Sequence, residues 1–272
     1  MDSYAKNPFT EAVVSFPVKV ASAERTDPDN PSVYPVLLEH LAAYRFAVAY
    51  VRGKKVLELG CGTGYGAQLI ARNARQVTAI DIDRATIETC QAANTRRNLK
   101  FLTSPVETFS DGRRYDVVVS FQVIEHLRNP AKLLETAGKH LTKPGVLILS
   151  TPNKTTQGYN ENPFHFREFT AGELEEFLGK RFRKTVLFGV YGNRTVETYE
   201  SGRREKIGRI FALDPLRIRR VIPRPVRQVI FNYAAMAVKG SIGQPQPGRG
   251  NYIYRVLSRT IGAIDLIAVS DT

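Results

Sequence analysis

The chain has 272 residues, of which 43% are hydrophobic and 24% are charged. This length and composition exclude a small disulfide-stapled domain and global disorder, and they indicate one large α/β domain with or without an added segment. The 39 basic and 26 acidic residues give a formal charge of +13. Such a charge indicates an acidic partner: a nucleic acid, an anionic lipid or a phosphorylated substrate.

Cysteine content and apolar runs predict the compartment. The only two cysteines, Cys61 and Cys90, exclude a disulfide framework and a cysteine-based zinc cage, so we expect a reducing cytoplasm. Residues 1–34 are polar and contain Pro28 and Pro31, and we interpret them as an N-terminal arm. They lack a basic stretch followed by an apolar run, so no signal peptide is predicted. No segment approaches the ~18 apolar residues of a membrane span.

Beyond the arm, the pattern alternates between helices and strands. A helix is predicted over Pro35–Tyr50, because leucines recur on one face and proline suits a first helical turn. Later helices begin at a cap formed by Asn129 and at a capping box that Thr170 opens. Seven strands are predicted: Lys55–Leu59, Gln76–Ile82, Lys100–Thr103, Asp116–Phe121, Gly145–Ser150, Thr185–Val190 and Ala263–Val269. This alternation predicts an α/β fold with a seven-stranded, Rossmann-like, doubly wound sheet.

A long interval between the sixth and seventh strands interrupts this rhythm. We interpret residues 193–258 as a basic helical insertion, with 35–192 and 259–272 forming the main domain. The insertion holds 13 basic and four acidic residues, a net charge of +9, so most of the chain's surplus charge lies there. Helices are predicted near Thr198–Ile210 and over Val226–Ala237.

A glycine-rich loop joins the first strand to the first helix of the sheet. Its glycines, Gly60, Gly62 and Gly64, permit a tight turn and a close approach of the backbone to a ligand. Asp81 stands at the end of the second strand, where a carboxylate can accept hydrogen bonds from both hydroxyls of a ribose. The spacing is neither the Gly-x-Gly-x-x-Gly of dinucleotide enzymes nor a Gly-Lys-Ser/Thr phosphate loop. A nucleoside-bearing cofactor is therefore predicted across the strand ends.

Four segments in this order, VLELGCGTGYG, VTAIDID, YDVVVSFQVIEHL and GVLILSTPN, resemble the motifs of class I S-adenosylmethionine (SAM) dependent methyltransferases. The resemblance implies that SAM is the cofactor. It places Glu58 and the three glycines around the methionine part, Asp81 at the ribose, Ile82 beside the adenine and Phe121 beside the sulfonium. Relatives often have an acidic residue after the third strand, where this chain has Pro105 and Val106. We expect the backbone or Glu107 to replace it. The other residues assigned to the cofactor site are Cys61, interpreted as a small buried filler in the loop, and Tyr44 and Arg45. The last two either close over SAM as a lid or belong to the packing of the first helix.

A second resemblance concerns the acceptor. Glu125 and His126 follow the fourth strand, and His165 lies in the segment NPFHFREFT. Together they are similar to the Glu-x-x-Glu-His … His arrangement of ubiquinone-type and small-RNA O-methyltransferases, in which these residues bind a divalent ion at the acceptor. The resemblance implies Glu125, His126 and His165 as metal ligands, with Gln122 in place of the first acidic residue; manganese, iron, zinc or magnesium suits this set. Without a metal, His126 or His165 is the predicted catalytic base, with Glu125 beside it. His40 is interpreted as helix surface.

The segments EHLAAYRFA, STPN and NPFHFREFT look like those of bacterial methyltransferases that modify sugars and glycolipids. The sequence thus predicts an O-methyltransferase for a hydroxyl of a glycan, glycolipid or lipid-linked small molecule. Three alternatives stay open: an RNA 2′-O-methyltransferase, a small-molecule N-methyltransferase and a non-catalytic SAM-binding partner subunit. The basic insertion is interpreted as a substrate cap or a membrane-surface element. Basic residues interleaved with aliphatic ones over 203–231 favour a peripheral contact with an anionic membrane surface. A nucleic-acid surface is disfavoured, because it usually adds more stacking aromatics. The oligomeric state is not predicted.

Overall fold

The computed structural model describes residues 34–157, 162, 164–212 and 252–272. Seven α-helices lie in these ranges: α1 Tyr34–Val51, α2 Tyr65–Ala71, α3 Arg84–Ala93, α4 Ala131–His140, α5 Lys154–Gln157, α6 Ala171–Gly179 and α7 Arg194–Ala212. Short 3-10 turns form at Val106–Thr108 and Ile124–His126. The strands are β1 Lys55–Leu59, β2 Gln76–Asp81, β3 Leu99–Thr103, β4 Tyr115–Phe121, β5 Leu141–Pro152, β6 Lys184–Gly192, β7 Tyr254–Leu257 and β8 Asp265–Asp271.

All eight strands belong to one sheet, in the order β3-β2-β1-β4-β5-β8-β6-β7. The first five strands pair in parallel, whereas β8 runs antiparallel to both β5 and β6. The α/β class and the largely parallel sheet are thus confirmed. The strand order reverses between β1 and β4, and ligands of open α/β sheets bind in the crevice at the carboxyl ends of such strands.

Helices cover both faces of the sheet and form two buried apolar clusters. One packs α1, α2 and α3 against one face, and the other packs α4 and α6 against the opposite face. Strand β4 is apolar on both sides because it is covered on both, as its run of valines predicts. The sheet, with the crevice at its carboxyl edge, therefore lies between two helical layers.

Two details of the prediction need correction. The sheet has eight strands rather than seven, because Tyr254–Leu257, placed in the insertion from its sequence, pairs with β6 as an edge strand. Pro130 has helical backbone angles, as its predicted place in the first turn of α4 requires. Among the described residues, however, no side-chain hydrogen bond caps this helix, so the cap predicted at Asn129 is not found. The capping box at Thr170 and Glu173 is confirmed in both directions.

The start of the basic segment packs against the main domain. In α7, Val196 and Glu200 are buried, and Arg204 donates a hydrogen bond to the carbonyl of Thr156 at 3.0 Å. Helix α7 thus lies beside α5, the short helix that follows β5. The predicted helix over Val226–Ala237 and most of the membrane contact over 203–231 fall outside the described residues, so both stay predictions. Among the described helices, none is long and apolar enough to cross a membrane.

Candidate cofactor and acceptor site

The loop between β1 and α2 depends on glycine at each turn. Gly60, Gly62 and Gly64 all have positive φ, at 80°, 52° and 76°. A Cβ on Gly60 would lie 2.5 Å from Val123 Cγ2, whereas one on Gly62 would meet no described atom within 4 Å. The backbone at Gly62 therefore borders open space, and a ligand can approach it closely. This is the loop that the sequence predicts at the cofactor.

Asp81 ties this loop to the end of β2. One carboxylate oxygen accepts the backbone N–H of Gly62 at 2.9 Å, and the other accepts that of Asp83 at 3.0 Å. Asp83 in turn caps α3 by accepting the N–H groups of Ala85 and Thr86. Asp81 is thus fixed within the crevice before any ligand binds.

Glu58 is the most unusual group of the loop, because it is a fully buried carboxyl. One oxygen accepts a hydrogen bond from the Tyr44 hydroxyl at 2.6 Å, and the other, Oε2, has no hydrogen-bond partner among the described residues. Burial raises the pKa of Glu58 to about 7, the Tyr44 hydrogen bond opposes this, and the negative charge of Asp81 adds to it. A buried oxygen without a partner is costly, and it suits a cationic ligand group.

The other residues assigned to the cofactor lie in different environments. Tyr44 packs against Gly66, where a Cβ would lie 1.9 Å from its ring, while its neighbour Arg45 is exposed. Phe121 is buried and meets the Tyr44 ring edge-on at 4.7 Å. Four more residues surround the strand ends. Ile82 is 69% exposed, Glu107 is half-buried, and Val106 and Cys61 are buried.

Glu125, His126 and His165 come together beyond the carboxyl end of β4. One potential ligand atom from each lies within 4.8 Å of the others. The two imidazole rings stand edge to face at 4.9 Å, and His126 Nε2 is 3.9 Å from Glu125 Oε1. The structure thus brings together two segments that the sequence separates by 39 positions.

Surrounding hydrogen bonds orient these three side chains. Thr151 donates to Glu125 Oε2 at 3.1 Å. His165 Nδ1 is 2.8 Å from Glu168 Oε1, so this nitrogen carries the proton and leaves Nε2 as the acceptor of an Asn162 amide N–H at 3.0 Å. His126 Nδ1 lies 3.3 Å from the carbonyl of Phe164, which assigns the same tautomer to it. In both rings Nδ1 therefore faces a hydrogen-bond acceptor, and the basic nitrogen is Nε2 on the other side of the ring.

Gln122 does not turn its amide nitrogen toward this cluster. The amide donates to Asp265 Oδ2 at 2.8 Å instead. His40 also departs from its prediction as helix surface: it is half-buried and hydrogen-bonded to the Tyr65 hydroxyl at 2.9 Å, and burial lowers its pKa to about 4. His40 thus belongs to the packing between α1 and α2.

Sequence reasoning missed the anchoring residues. Glu168 lies three positions after His165, a spacing that signals a local contact, and Thr151 lies in the STPN segment at the end of β5. No sequence signal points to Asp265, which is 143 positions from Gln122.

Comparison with known proteins relates the chain to one family. The methyltransferase domain family matches residues 36–184, more than half of the chain. A probable S-adenosylmethionine-dependent methyltransferase of Mycolicibacterium smegmatis is 38% identical over 173 residues, which cover 56% of this chain and 67% of that protein. One from Mycobacterium tuberculosis is 36% identical over 185 residues and 65% of both chains. The ubiquinone biosynthesis O-methyltransferase of Rickettsia bellii is 35% identical over 107 residues, 39% of this chain and 45% of that protein.

A solved structure shares the fold. The SAM-dependent methyltransferase and possible histamine N-methyltransferase of Thermotoga maritima has a TM-score of 0.55 at 12% identity, covering 88% of this chain and 91% of that one. The glycine loop, the fixed Asp81 and the buried Glu58 lie where the family match runs. The chain therefore belongs to the class I SAM-dependent methyltransferases, with SAM as its cofactor.

Proposed function

We propose that the protein transfers a methyl group from SAM to a hydroxyl of a glycan, glycolipid or lipid-linked small molecule. The observation that carries this proposal is the cluster of Glu125, His126 and His165 at the carboxyl edge that also holds the glycine loop. A hydroxyl is a weak nucleophile, and it must lose a proton during transfer, so a site for it needs a base. The similarity to a ubiquinone biosynthesis O-methyltransferase supports transfer to oxygen.

SAM supplies an electrophilic methyl group, and the chain must align the acceptor with it and remove the proton. His126 is the better placed base, because 34% of its side chain is exposed, compared with 11% for His165. The hydrogen bond of His126 Nδ1 to Phe164 leaves Nε2 to take the proton. Glu125, a buried carboxylate 3.9 Å away, would stabilise the imidazolium that forms. His165, anchored by Glu168, orients His126 or the acceptor.

On the cofactor side, we assign the methionine part of SAM to Glu58 and the glycine loop, and the ribose to Asp81. The buried Oε2 of Glu58 would gain a partner in the methionine ammonium group. Exposed Ile82 offers an apolar surface for the adenine, with Val106 and Glu107 beside it.

The pH dependence of SAM binding tests the Glu58 assignment. An ammonium group favours the ionised carboxylate, and the free protein holds a proton on Glu58 below about pH 7. SAM affinity should therefore rise up to ~10-fold per pH unit toward pH 7 and level off above it. Calorimetry over this pH range measures the affinity for SAM. In Glu58→Gln the affinity should be lower and should no longer change with pH. A wild-type affinity that falls as pH rises toward 7 would contradict the assignment.

The acceptor cluster also fits a divalent metal. The Nδ1 atoms of the two imidazoles are hydrogen-bonded to Glu168 and to a backbone carbonyl. Histidines that bind a metal usually make a hydrogen bond of this kind with the ring nitrogen that does not contact the ion. Glu125, His126 and His165 would hold the ion, which would lower the pKa of a bound hydroxyl. In that case the amide of Asn162 would have to leave His165 Nε2.

Titration with Mn²⁺ tests this site directly. We expect one saturable site whose affinity falls as the pH is lowered, because protons compete with the ion for the imidazole nitrogens. His165→Ala should abolish it. His140→Asn is the matched control, because His140 is buried away from the cluster against Thr136. Binding that is unchanged in His165→Ala would place the ion elsewhere.

The acceptor class is tested with radiolabelled SAM and paired compounds. Each pair presents a hydroxyl or an amine on the same skeleton: methyl glycosides with their 2-amino analogues, a glucosylated lipid with an aminosugar lipid, and a catechol with an aminophenol. An unmodified RNA completes the panel. We expect label in the hydroxyl members. Label confined to the amine members or to RNA would refute the proposal and favour the corresponding alternative.

A further inference from the structure

The backbone at the end of β4 is held in a conformation that L-residues avoid. Gln122 has a φ of 55°, and it is the one non-glycine residue with a positive φ in the described part of the chain. Such a residue persists only where its surroundings fix it, and these positions concentrate at functional sites. Gln122 immediately precedes the segment that forms the turn Ile124–His126.

Two elements of the sheet fix Gln122. Its backbone N–H donates to the carbonyl of Ser150 at 3.0 Å. Its side-chain amide donates to Asp265 Oδ2 at 2.8 Å and to Ser150 Oγ at 3.4 Å. Backbone and side chain are thus held from β5 and β8 at once, and the side-chain bond to Asp265 is the shortest of the three.

Asp265 is itself a rigid anchor. It is buried and begins β8, paired with Pro152 of β5 on one side and with Val190 of β6 on the other. Its carboxyl also shares a hydrogen bond with buried Glu39 of α1. Asp265 therefore connects Gln122 to strands β5 and β6 and to helix α1.

We propose that Asp265 is a positioning residue for methyl transfer, which acts through Gln122 to set the turn that presents Glu125 and His126. This proposal rests on the acceptor site proposed above. The bond also gives a physical reason for an amide at position 122. A glutamate there would have no N–H to donate to Asp265 Oδ2, so this anchor from β8 depends on an amide at position 122.

Exchanging donor and acceptor tests this link. In Gln122→Glu the amide donor is lost and a carboxyl oxygen faces Asp265 Oδ2 instead, so we expect the turn to shift and kcat to fall by about 10–100-fold, as for small misplacements of reacting groups. Adding Asp265→Asn restores the bond with its direction reversed, because the new amide at position 265 donates to the glutamate. The kcat of the double variant should recover to within about threefold of the wild-type value, which is a smaller change than the tenfold that corresponds to about 1.4 kcal/mol. Asp265→Asn alone keeps an oxygen that accepts from Gln122, so it should lower kcat less than Gln122→Glu does.

The readout must not depend on the acceptor. We would record the imidazole ¹⁵N resonances of His126 and His165 in the full chain, together with methyl transfer and urea unfolding. Displacement of the His126 resonance in Gln122→Glu and its return in the double variant support the proposal. A double variant as displaced as Gln122→Glu overturns it. If the resonances behave as expected while no hydroxyl is methylated, the positioning role stands and the proposed function fails.

A second pair of variants covers the case in which Gln122→Glu does not fold. Glycine adopts a φ of 55° without strain, so a chain carrying Gln122→Gly needs no anchor. Asp265→Ala should displace the His126 resonance in the Gln122 chain but not in the Gln122→Gly chain. Equal displacement in both would overturn the proposal. Ser270→Ala is the control, because Ser270 bonds Thr185 at 2.9 Å at the far end of β8. It should lower stability only.

Discussion

Replacing His126 by alanine is expected to lower kcat for methyl transfer by about 10²–10⁴-fold, the range typical of a lost general base. The affinity for SAM should stay near wild type, because His126 contacts Phe164 and Glu125 in the proposed acceptor site and is not among the residues assigned to SAM. His165→Ala should lower kcat less if it only orients His126, and as much if both hold a metal. Single-turnover assays and calorimetry measure the two quantities separately.

The control for this variant is His140→Asn. His140 is buried against Thr136, Phe109 and Tyr115 on the α4 side of the sheet. Its replacement should lower the unfolding temperature and leave kcat unchanged. If His126→Ala and His140→Asn both lost activity and lost stability equally, the effect of His126→Ala would be explained by impaired folding. Full activity in a well-folded His126→Ala protein would exclude His126 as the base.

Replacing Asp81 by alanine is expected to weaken SAM binding by about 100-fold or more, because hydrogen bonds to a charged group contribute about 1.5–3 kcal/mol each. The change removes the partner proposed for the ribose and also releases the N–H of Gly62. The loop then loses its anchor to β2, so part of the loss reflects disorder of the free site. Calorimetric titration with SAM, repeated with S-adenosylhomocysteine, measures the effect without an acceptor.

Asp83→Ala is the matched control, since Asp83 is a carboxylate two positions away in the same loop. It caps α3 through Ala85 and Thr86, so its removal should cost about 1 kcal/mol of stability with SAM affinity nearly unchanged. Equal weakening by both variants would mean that the loop is only sensitive to packing. Normal SAM binding by Asp81→Ala would refute its role at the cofactor.

Local signals in the sequence predicted the part of the site that forms within short segments. The glycine loop follows from three glycines that need positive φ, and the capping box follows from Thr170 and Glu173. Strand β4 is recognisable because burial on both faces selects a run of valines. The pairing of Glu125 and His126 with His165 was reached through resemblance, since spacing alone does not bring residues 39 positions apart into contact.

Other features depend on tertiary contacts that no short segment records. Asp265 meets Gln122 only because β8 inserts between β5 and β6 in the sheet. His40 is half-buried because α1 packs on α2 and brings Tyr65 to it. Edge strand β7 was missed because it has four residues and follows a Gly/Pro-rich stretch. In each case the partner lies far along the chain.

The chemical bond formed in the reaction decides most directly whether this crevice methylates a hydroxyl. SAM labelled with ¹³C in its methyl group would be incubated with the protein and with the hydroxyl acceptor that the paired panel yields, and the product examined by ¹³C NMR. We predict an O-methyl ether resonance that is absent from the His126→Ala reaction. A methyl group on nitrogen, or an ether formed equally well by His126→Ala, would contradict the proposed reaction.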